Sequence, residues 1–166
     1  MTNAGALKVT TSGDREIIMT RAFDAPRRLV FEAFTKPELV KQWLLGPPGW
    51  TMPVCEIDFR VGGRYRYLWR NAKGTEMGMG GIYREIMIPE RIVATEKFDE
   101  AWYPGGALVT FVLVEQDGKT MLTQTILYDS REARDAVLKS PMESGVTATY
   151  NRLAELLAST PIRGNK

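Results

Sequence analysis

Residues 64–70 show the sharpest pattern in the chain, in which aromatic side chains alternate with mostly cationic ones. Tyr65, Tyr67 and Trp69 fall on one face of a period-two strand, while the three arginines and Leu68 fall on the other. A Gly-Gly pair just before this strand supplies the φ angles of a tight turn, so residues 54–60 are predicted to pair with it antiparallel. The aromatic face belongs either to an ordinary core or to a pocket wall.

Five further strands follow from the same two-residue spacing. The Asp-Gly pair at residues 117–118 is a strong hairpin signal, and clustered glycines at residues 78–81 predict a bend. Short turns between successive strands indicate an antiparallel meander, so we expect a curved sheet of about seven strands. The five strands are expected at residues 16–23, 76–88, 91–98, 107–116 and 120–128.

Helical spacing of apolar residues occurs before and after these strands. Asp24 or Ala25 is expected to cap a first helix with Pro26 in its first turn, and a second short helix is expected at residues 37–44. Beyond the last strand, Ser130 is expected to cap a third helix.

The last helix, expected at residues 142–159, carries a broad apolar face that must lie against the sheet. Thr149 lies near the centre of this face, and Gly145 one turn earlier has no side chain. Either the two residues leave a cavity, or Gly145 allows close packing while Thr149 bonds to the preceding turn. Both interpretations fit the sequence.

Two irregular segments carry tryptophan. Residues 46–50, Gly-Pro-Pro-Gly-Trp, form a loop because proline removes backbone donors and glycine loosens the chain. Trp50 either plugs the edge of the core, which is the commoner use of such a residue, or gates a pocket. Residues 99–106 place Trp102 and Tyr103 beside glycines, and this loop either covers a pocket or contacts a partner.

Composition narrows the class of protein. The 166 residues are 44% hydrophobic and carry a net charge of +2, which is typical of one soluble domain. We expect this domain at residues 14–160, with flexible ends at residues 1–13 and 161–166. Neither a nucleic-acid partner nor membrane insertion is expected, since there is no dense basic segment and no long apolar run. The missing signal-peptide pattern predicts a cytoplasmic location.

Histidine is absent from the chain, and its absence excludes most hydrolase mechanisms. Without histidine, the chain has no imidazole base, no Ser-His or Cys-His nucleophile pair and no histidine metal site. Cys55 is the single cysteine, and its place in a strand indicates a small buried side chain more than a nucleophile. The acidic residues lack calcium-loop spacing, so neither a metal nor another cofactor is expected.

Several segments resemble one known family. They are LLGPPGWTMPVCEIDFRVGGRYRY at residues 44–67, GIYREI at 81–86, PERIVATEKFD at 89–99, DGKTMLTQT at 117–125, SREARDAVLKS at 130–140 and MESGVTATYNRLAELL at 142–157. These segments are similar to the START-like SRPBCC superfamily, and within it to the branch named for homologues of the activator of heat-shock-protein ATPase.

The resemblance implies an α+β helix-grip fold of the START-like, Bet v-like type. In this fold two short helices follow the first strand, and a curved antiparallel sheet wraps around the C-terminal helix. The resemblance also implies a hydrophobic pocket, because the superfamily binds lipids, polyketides and other apolar small molecules. The co-chaperone that names the branch carries this domain after a separate N-terminal domain, which is not found here, so chaperone activation does not follow from the name.

The leading hypothesis for function is binding of a hydrophobic or aromatic small molecule between the sheet and the C-terminal helix. Its basis is a face of aromatic and methionine side chains opposite a helix with a gap. Tyr65 is left out because it lies beside the turn. The expected binding residues are Trp43, Trp50, Tyr67, Trp69, Met79, Tyr83, Phe111, Met142, Val146, Thr149 and Tyr150.

Two other classes of function fit the sequence. A cofactor-independent cyclase or hydrolase needs an ionisable group in the pocket, and Glu76, Arg70 and Tyr67 are the candidates. A protein-interaction module, such as a co-chaperone-like protein, would use the loop at residues 99–106 or the arginine face of residues 64–70. Homodimerisation through a sheet edge is also compatible with the sequence.

Overall fold

A computed structural model describes residues 6–160 of the chain. These residues form one eight-stranded antiparallel sheet and four helices. The strands are β1 (Lys8–Ser12), β2 (Glu16–Phe23), β3 (Trp50–Ile57), β4 (Arg64–Asn71), β5 (Glu76–Met87), β6 (Arg91–Phe98), β7 (Ala107–Gln116) and β8 (Lys119–Tyr128). The helices are α1 (Arg27–Thr35), α2 (Pro37–Trp43), α3 (Arg131–Lys139) and α4 (Met142–Ser159).

The strand order across the sheet is β1-β2-β8-β7-β6-β5-β4-β3. β3 to β8 form a meander in which each strand pairs with the next, and β2 then pairs with β8. The two short helices lie between β2 and β3, and α4 packs against the inner face of the sheet. The expected α+β fold, with a curved sheet around the last helix, is therefore confirmed.

The sheet bends between β5 and β6, where the backbone ladder is interrupted. The register shifts after Tyr83, and the Ile82 N–H donates to the Thr95 hydroxyl at 2.9 Å instead of to a backbone carbonyl. Gly81 is required at this point, because a side chain there would collide with the Thr95 carbonyl. The interruption follows the clustered glycines at residues 78–81, of which Gly81 marks a close approach of the neighbouring strand.

The N-terminal segment differs from the expectation of a flexible end at residues 1–13. Residues 8–12 form β1, which pairs with β2 from Lys8 opposite Thr20 to Ser12 opposite Glu16. Four of its five side chains are exposed, so backbone hydrogen bonds hold this strand more than apolar contacts do. The sheet consequently has eight strands instead of about seven. The rest of the predicted flexible ends, residues 1–5 and 161–166, lies outside the described residues.

The hairpin before β4 is longer than the predicted Gly-Gly turn. β3 ends at Ile57, and residues 58–63 connect the two strands, with Gly62 at a φ of 86°. The ring of Phe59 turns inward and lies 5.2 Å from that of Tyr83, edge to face. Packing of this ring replaces the strand pairing predicted up to residue 60.

Of the two predicted helix caps, the cap of α3 is confirmed and the cap of α1 is wrong. Pro26 occupies the N-cap of α1 and no side chain caps this helix, so neither Asp24 nor Ala25 has the predicted role. At α3 the Ser130 hydroxyl accepts a hydrogen bond from the Ala133 N–H at 3.1 Å, as predicted.

The two halves of α4 pack differently. Leu153 and Leu157 in its second half are buried in a hydrophobic cluster shared with α1 and α2. Met142 and Val146 in its first half are only partly buried, against a second cluster built from α3, β2, β7 and β8. The first half of α4 therefore covers the sheet less completely, and the candidate site lies beneath this half.

Candidate functional site

The inward side chains of β4 form an aromatic row. Tyr65 and Tyr67 are buried, Trp69 is half-buried, and neighbouring ring centroids lie 5.1 Å and 5.8 Å apart. The Tyr65 hydroxyl donates to the Thr95 carbonyl at 2.6 Å, and the Trp69 indole donates to the Leu44 carbonyl at 2.7 Å. Tyr65, which was left out of the expected binding residues because it lies beside the turn, is as deeply buried as Tyr67.

The row continues into β6 and the loop that follows it. The centroid of Phe98 lies 6.4 Å from that of Trp69 and 4.9 Å from that of Trp102. Tyr103 lies edge to face against both Phe98 and Tyr128, at 6.4 Å and 5.3 Å. These rings form one continuous surface, which we call the aromatic wall. It consists of Tyr65, Tyr67, Trp69, Phe98, Tyr103 and Tyr128.

One carboxyl group lies inside, next to this wall. Glu96 belongs to β6, lies opposite Ala107 of β7, and is deep in the protein although its own surface is only half-buried. Burial raises its pKa from 4.5 to about 7, and among residues 6–160 no cation or hydrogen bond counteracts the shift. Burial raises the pKa of five surrounding tyrosines, and the charge of Glu96 adds to each shift. They are Tyr65, Tyr67, Tyr103, Tyr128 and Tyr150.

Small residues flank Glu96 on both neighbouring strands. Ala107 is its partner on β7, and on the other side Gly80 is opposite Lys97, which sets Gly81 across from Glu96. Neither neighbour has a side chain larger than a methyl group. Both strand neighbours of Glu96 are therefore small, and its side chain keeps a partly uncovered surface.

The loop at residues 99–106 is tied down at both ends. The Asp99 carboxylate accepts two hydrogen bonds from the Arg66 guanidinium, at 2.5 Å and 2.7 Å. At the other end, the Gly106 N–H donates to the Asp129 carboxylate at 2.9 Å. The loop is thus held across the Glu96 end of the interior by its two stems.

The middle of this loop presents one ring inward and one outward. Tyr103 is buried, whereas Trp102 is 45% exposed. The Tyr103 hydroxyl is buried and has no hydrogen-bond partner among the described residues. It lies close enough to Glu96 for the carboxylate to raise its pKa. An unpaired hydroxyl and an unpaired carboxyl group therefore lie near each other in the interior.

Most of the predicted binding residues lie on the inner side of the sheet or on the facing side of α4. Met79 lies opposite both Tyr67 and Phe98 on neighbouring strands. The Tyr150 hydroxyl donates to the Gln124 side chain at 2.6 Å. The predicted residues in this continuous apolar interior are Tyr67, Trp69, Met79, Tyr83, Phe111, Met142, Val146 and Tyr150.

The predicted tryptophans outside the wall occupy different positions. Trp43 is 1% exposed and fills the core between α1, α2 and α4. Trp50 is the first residue of β3, opposite Asn71, and is half-buried at the sheet edge. Neither ring belongs to the aromatic wall around Glu96.

Thr149 holds the proline loop at residues 46–49 against α4. Its hydroxyl accepts a hydrogen bond from the Gly46 N–H at 2.9 Å, and Arg152 donates to the Gly46 carbonyl at 2.7 Å. A Cβ on Gly145 would lie 3.8 Å from the ring of Pro47. The gap at Gly145 therefore admits the proline loop, an arrangement that the sequence did not indicate.

Replacing Thr149 by valine is expected to destabilise the protein by about 1 kcal/mol, because the Gly46 amide loses its acceptor. Hydrogen exchange of that amide, followed by NMR, should accelerate. The matched control is Thr147→Val, two residues earlier and therefore on a different side of the helix. Equal acceleration in both variants would contradict the assigned contact.

A recess at the far end of the interior lies between α1 and β6 and β7. Its empty volume is about 190 Å³, which includes open solvent, and it encloses no space wide enough for a water molecule. A ligand must therefore displace side chains to enter here. The lining residues are Phe31, Phe34, Arg91, Ile92, Phe111 and Leu113.

The charged residues expected for a catalytic role lie on the outside of the sheet. Arg70 donates two hydrogen bonds to Glu76, at 2.6 Å and 2.8 Å, and both side chains are exposed. Neither reaches the interior, so these two candidates are wrong. The inward carboxyl group is Glu96, which sequence reasoning did not select. The available signal was the alternation in β6, which puts Glu96 on the face of Ala94 and Phe98.

Comparison with known proteins agrees with this architecture. Residues 24–158 match the sequence model of the family described as activator of Hsp90 ATPase homolog 1-like protein. The chain belongs to this family. The residues that match the activator of Hsp90 ATPase homolog 1-like family include the whole aromatic wall and Glu96. No curated protein matches the chain.

Solved structures from several bacteria have the same fold. A protein from Rhodobacter sphaeroides is 29% identical, with a TM-score of 0.89, and the match covers 94% of this chain and all of that one (100%). A protein from Chromobacterium violaceum is 28% identical, with a TM-score of 0.75 and coverages of 89% and 100%. An AHSA1-like protein from Aeromonas hydrophila, at 16% identity, a TM-score of 0.68 and coverages of 87% and 97%, shares the fold.

Two features of the described residues concern membranes and metals. Within residues 6–160, the helices are too short or too polar to cross a membrane. In the same part of the chain, no three or more histidine, cysteine, aspartate or glutamate residues are grouped so that they could hold a metal ion.

Proposed function

We propose that the interior between the first half of α4 and the aromatic wall binds a hydrophobic or aromatic small molecule. The observation that carries this proposal is the incomplete cover of large apolar side chains on an inner face. Trp69 and Phe98 of the wall are only half-buried, as are Met142 and Val146 of α4. Protein cores are normally close-packed, so partly covered rings on an inner face favour a ligand that completes the packing.

The route into this interior follows from the way its cover is held. The loop at residues 99–106 is tied at its stems, and only its middle, with Trp102 and Tyr103, rests on the wall through ring contacts. The first half of α4 is likewise partly covered. Movement of these two segments would uncover the wall without unfolding the sheet.

The alternative function, a protein-interaction module, is less well supported by the surface residues that were expected to form its interface. Arg66 and Arg70 on the outer face of β4 are paired with Asp99 and Glu76. Tyr103, half of the aromatic pair expected at an interface, is buried against the wall. Two of the three arginines on this face are thus paired, whereas the inner face has partly covered apolar surface. This contrast favours ligand binding.

N-phenyl-1-naphthylamine, a neutral aromatic dye that fluoresces in apolar surroundings, tests this proposal. Saturable binding with a blue-shifted emission is expected for the full chain. Val146→Trp should lower the affinity at least about tenfold, because Val146 contacts both hydrophobic clusters and a larger ring there fills the interior.

The matched control is Leu138→Trp, which adds the same ring at a position that is 40% exposed on α3. Its affinity should equal that of the unaltered chain, and circular dichroism should show that both variants are folded. Absence of saturable binding, or equal binding by both variants, would overturn the proposed function.

A further inference from the structure

Glu96 is a carboxyl group in the interior for which the protein supplies no counter-charge. Seven ion pairs occur among residues 6–160, and Glu96 belongs to none of them. Taking a carboxylate out of water without a partner costs stability, so such a group is unusual unless it serves a ligand or a reaction. A glutamine would occupy the same volume without that cost.

The buried cation on the inner face of the sheet is already engaged elsewhere. Arg21 of β2 donates to the Asn151 side chain at 2.8 Å, and its guanidinium lies 5.4 Å from the ring centre of Phe23. Phe23 belongs to the cluster under the second half of α4, whereas Ala107, the strand partner of Glu96, belongs to the other cluster. The site around Glu96 is therefore electronegative.

The aromatic wall strengthens this electronegative character. Rings attract cations through their faces, and Trp69, Phe98 and Tyr103 lie in one contiguous row beside Glu96. A carboxylate beside aromatic faces suits an ammonium group, which gains a charge-assisted hydrogen bond together with cation–π contacts. A carboxylate ligand such as a fatty acid would instead meet a like charge.

The residues next to Glu96 on both neighbouring strands are small. Ala107 lies opposite it on β7, Gly81 on β5 packs against the Thr95 carbonyl, and the buried Tyr103 hydroxyl has no partner among the described residues. We propose that the ligand of this interior is a hydrophobic or aromatic amine whose ammonium group pairs with the Glu96 carboxylate against the aromatic wall. The inference rests on the proposed function and specifies the class of ligand.

Three probes of nearly equal shape test the inference by titration calorimetry on the full chain. They are 2-naphthylmethylamine, 2-ethylnaphthalene and 2-naphthylacetic acid, which end in a cation, a methyl group and an anion. We expect the amine to bind about tenfold more tightly than 2-ethylnaphthalene, with the acid weakest. Glu96→Gln should remove the advantage of the amine and leave the affinity for 2-ethylnaphthalene unchanged or higher.

Proton release provides a second readout. At pH 6 most Glu96 carboxyl groups are protonated, because their pKa is about 7. Binding of the ammonium should therefore release about 0.9 proton, measured in two buffers of different ionisation enthalpy. The tyrosines facing Glu96 have raised pKa values and stay neutral at this pH, so they do not contribute. They are Tyr65, Tyr67, Tyr103, Tyr128 and Tyr150.

Glu76→Gln is the matched control, since Glu76 is an exposed glutamate on the outer side of the sheet. It should behave as the unaltered chain in both readouts. If 2-ethylnaphthalene binds as tightly as the amine, or if Glu96→Gln keeps the preference or the proton release, the inference is wrong while the proposed function stands. If none of the three probes binds, the inference is overturned, and the dye titration decides whether the proposed function stands.

Discussion

Glu96→Gln should raise the melting temperature by about 5–10 °C at pH 8 and change it little at pH 4.5. The folded-state pKa of Glu96 is raised from 4.5 to about 7 by burial. Below the lower value, Glu96 is protonated in both the folded and the unfolded chain. As the pH rises through the higher value, folding must hold a buried charge that the unfolded chain exposes to water, so stability is lost.

The size of this effect follows from the shift in pKa. A shift from 4.5 to about 7 corresponds to about 3 kcal/mol of stability lost between acid and alkaline pH, and glutamine removes the loss. Melting curves of Glu96→Gln and the unaltered chain, recorded by circular dichroism from pH 4.5 to 8, measure it directly. A difference in melting temperature that does not vary with pH would contradict the assigned burial of the charge.

Trp43→Ala should lower the free energy of unfolding by about 4 kcal/mol, which is typical for removal of a fully buried tryptophan. Trp43 is 1% exposed, and its ring centroid lies 4.9 Å from that of Phe34 and 5.9 Å from that of Tyr150. Its indole N–H donates to the Ala33 carbonyl at 2.9 Å. The substitution thus leaves a large cavity between three helices and removes a buried hydrogen bond.

Urea unfolding followed by circular dichroism measures this loss, with Trp102→Ala as the control of the same residue type. Trp102 is 45% exposed on the loop at residues 99–106, so its removal should cost less than about 1 kcal/mol. Trp43→Phe, which keeps a ring but loses the indole hydrogen bond, should fall between the two. Equal losses for the two alanine variants would show that Trp43 is not the core anchor.

Elements with a strong local signal could be predicted from the sequence. The turn at Asp117 and Gly118 has the positive φ angles, 56° and 79°, that its Asp-Gly sequence favours. Ser130 caps α3 because its hydroxyl reaches an amide only three residues away. The strand β1 could not be predicted in this way, since its polar sequence gains order only by pairing with β2.

The candidate site was predictable in its apolar half and not in its polar half. The alternation of Tyr67 and Trp69 predicts an inner face, and both side chains lie on the inner face of the sheet. The alternation in β6 puts Glu96 on the inner face, but a glutamate in a strand is normally exposed, so its residue type points against that position. The contact of Thr149 with Gly46 joins segments separated by 103 residues, which no local pattern reports.

The two edge strands of the open sheet determine how readily folded chains can associate edge to edge. β3 carries Pro53, which has no N–H to donate, and its register with β4 shifts between Thr51 and Val54. β1 is only five residues long and carries Lys8 at its start. Neither edge is a long, flat and apolar template for another strand. We therefore expect the native state to resist edge-to-edge growth into fibrils, so that any self-association on heating should require prior unfolding.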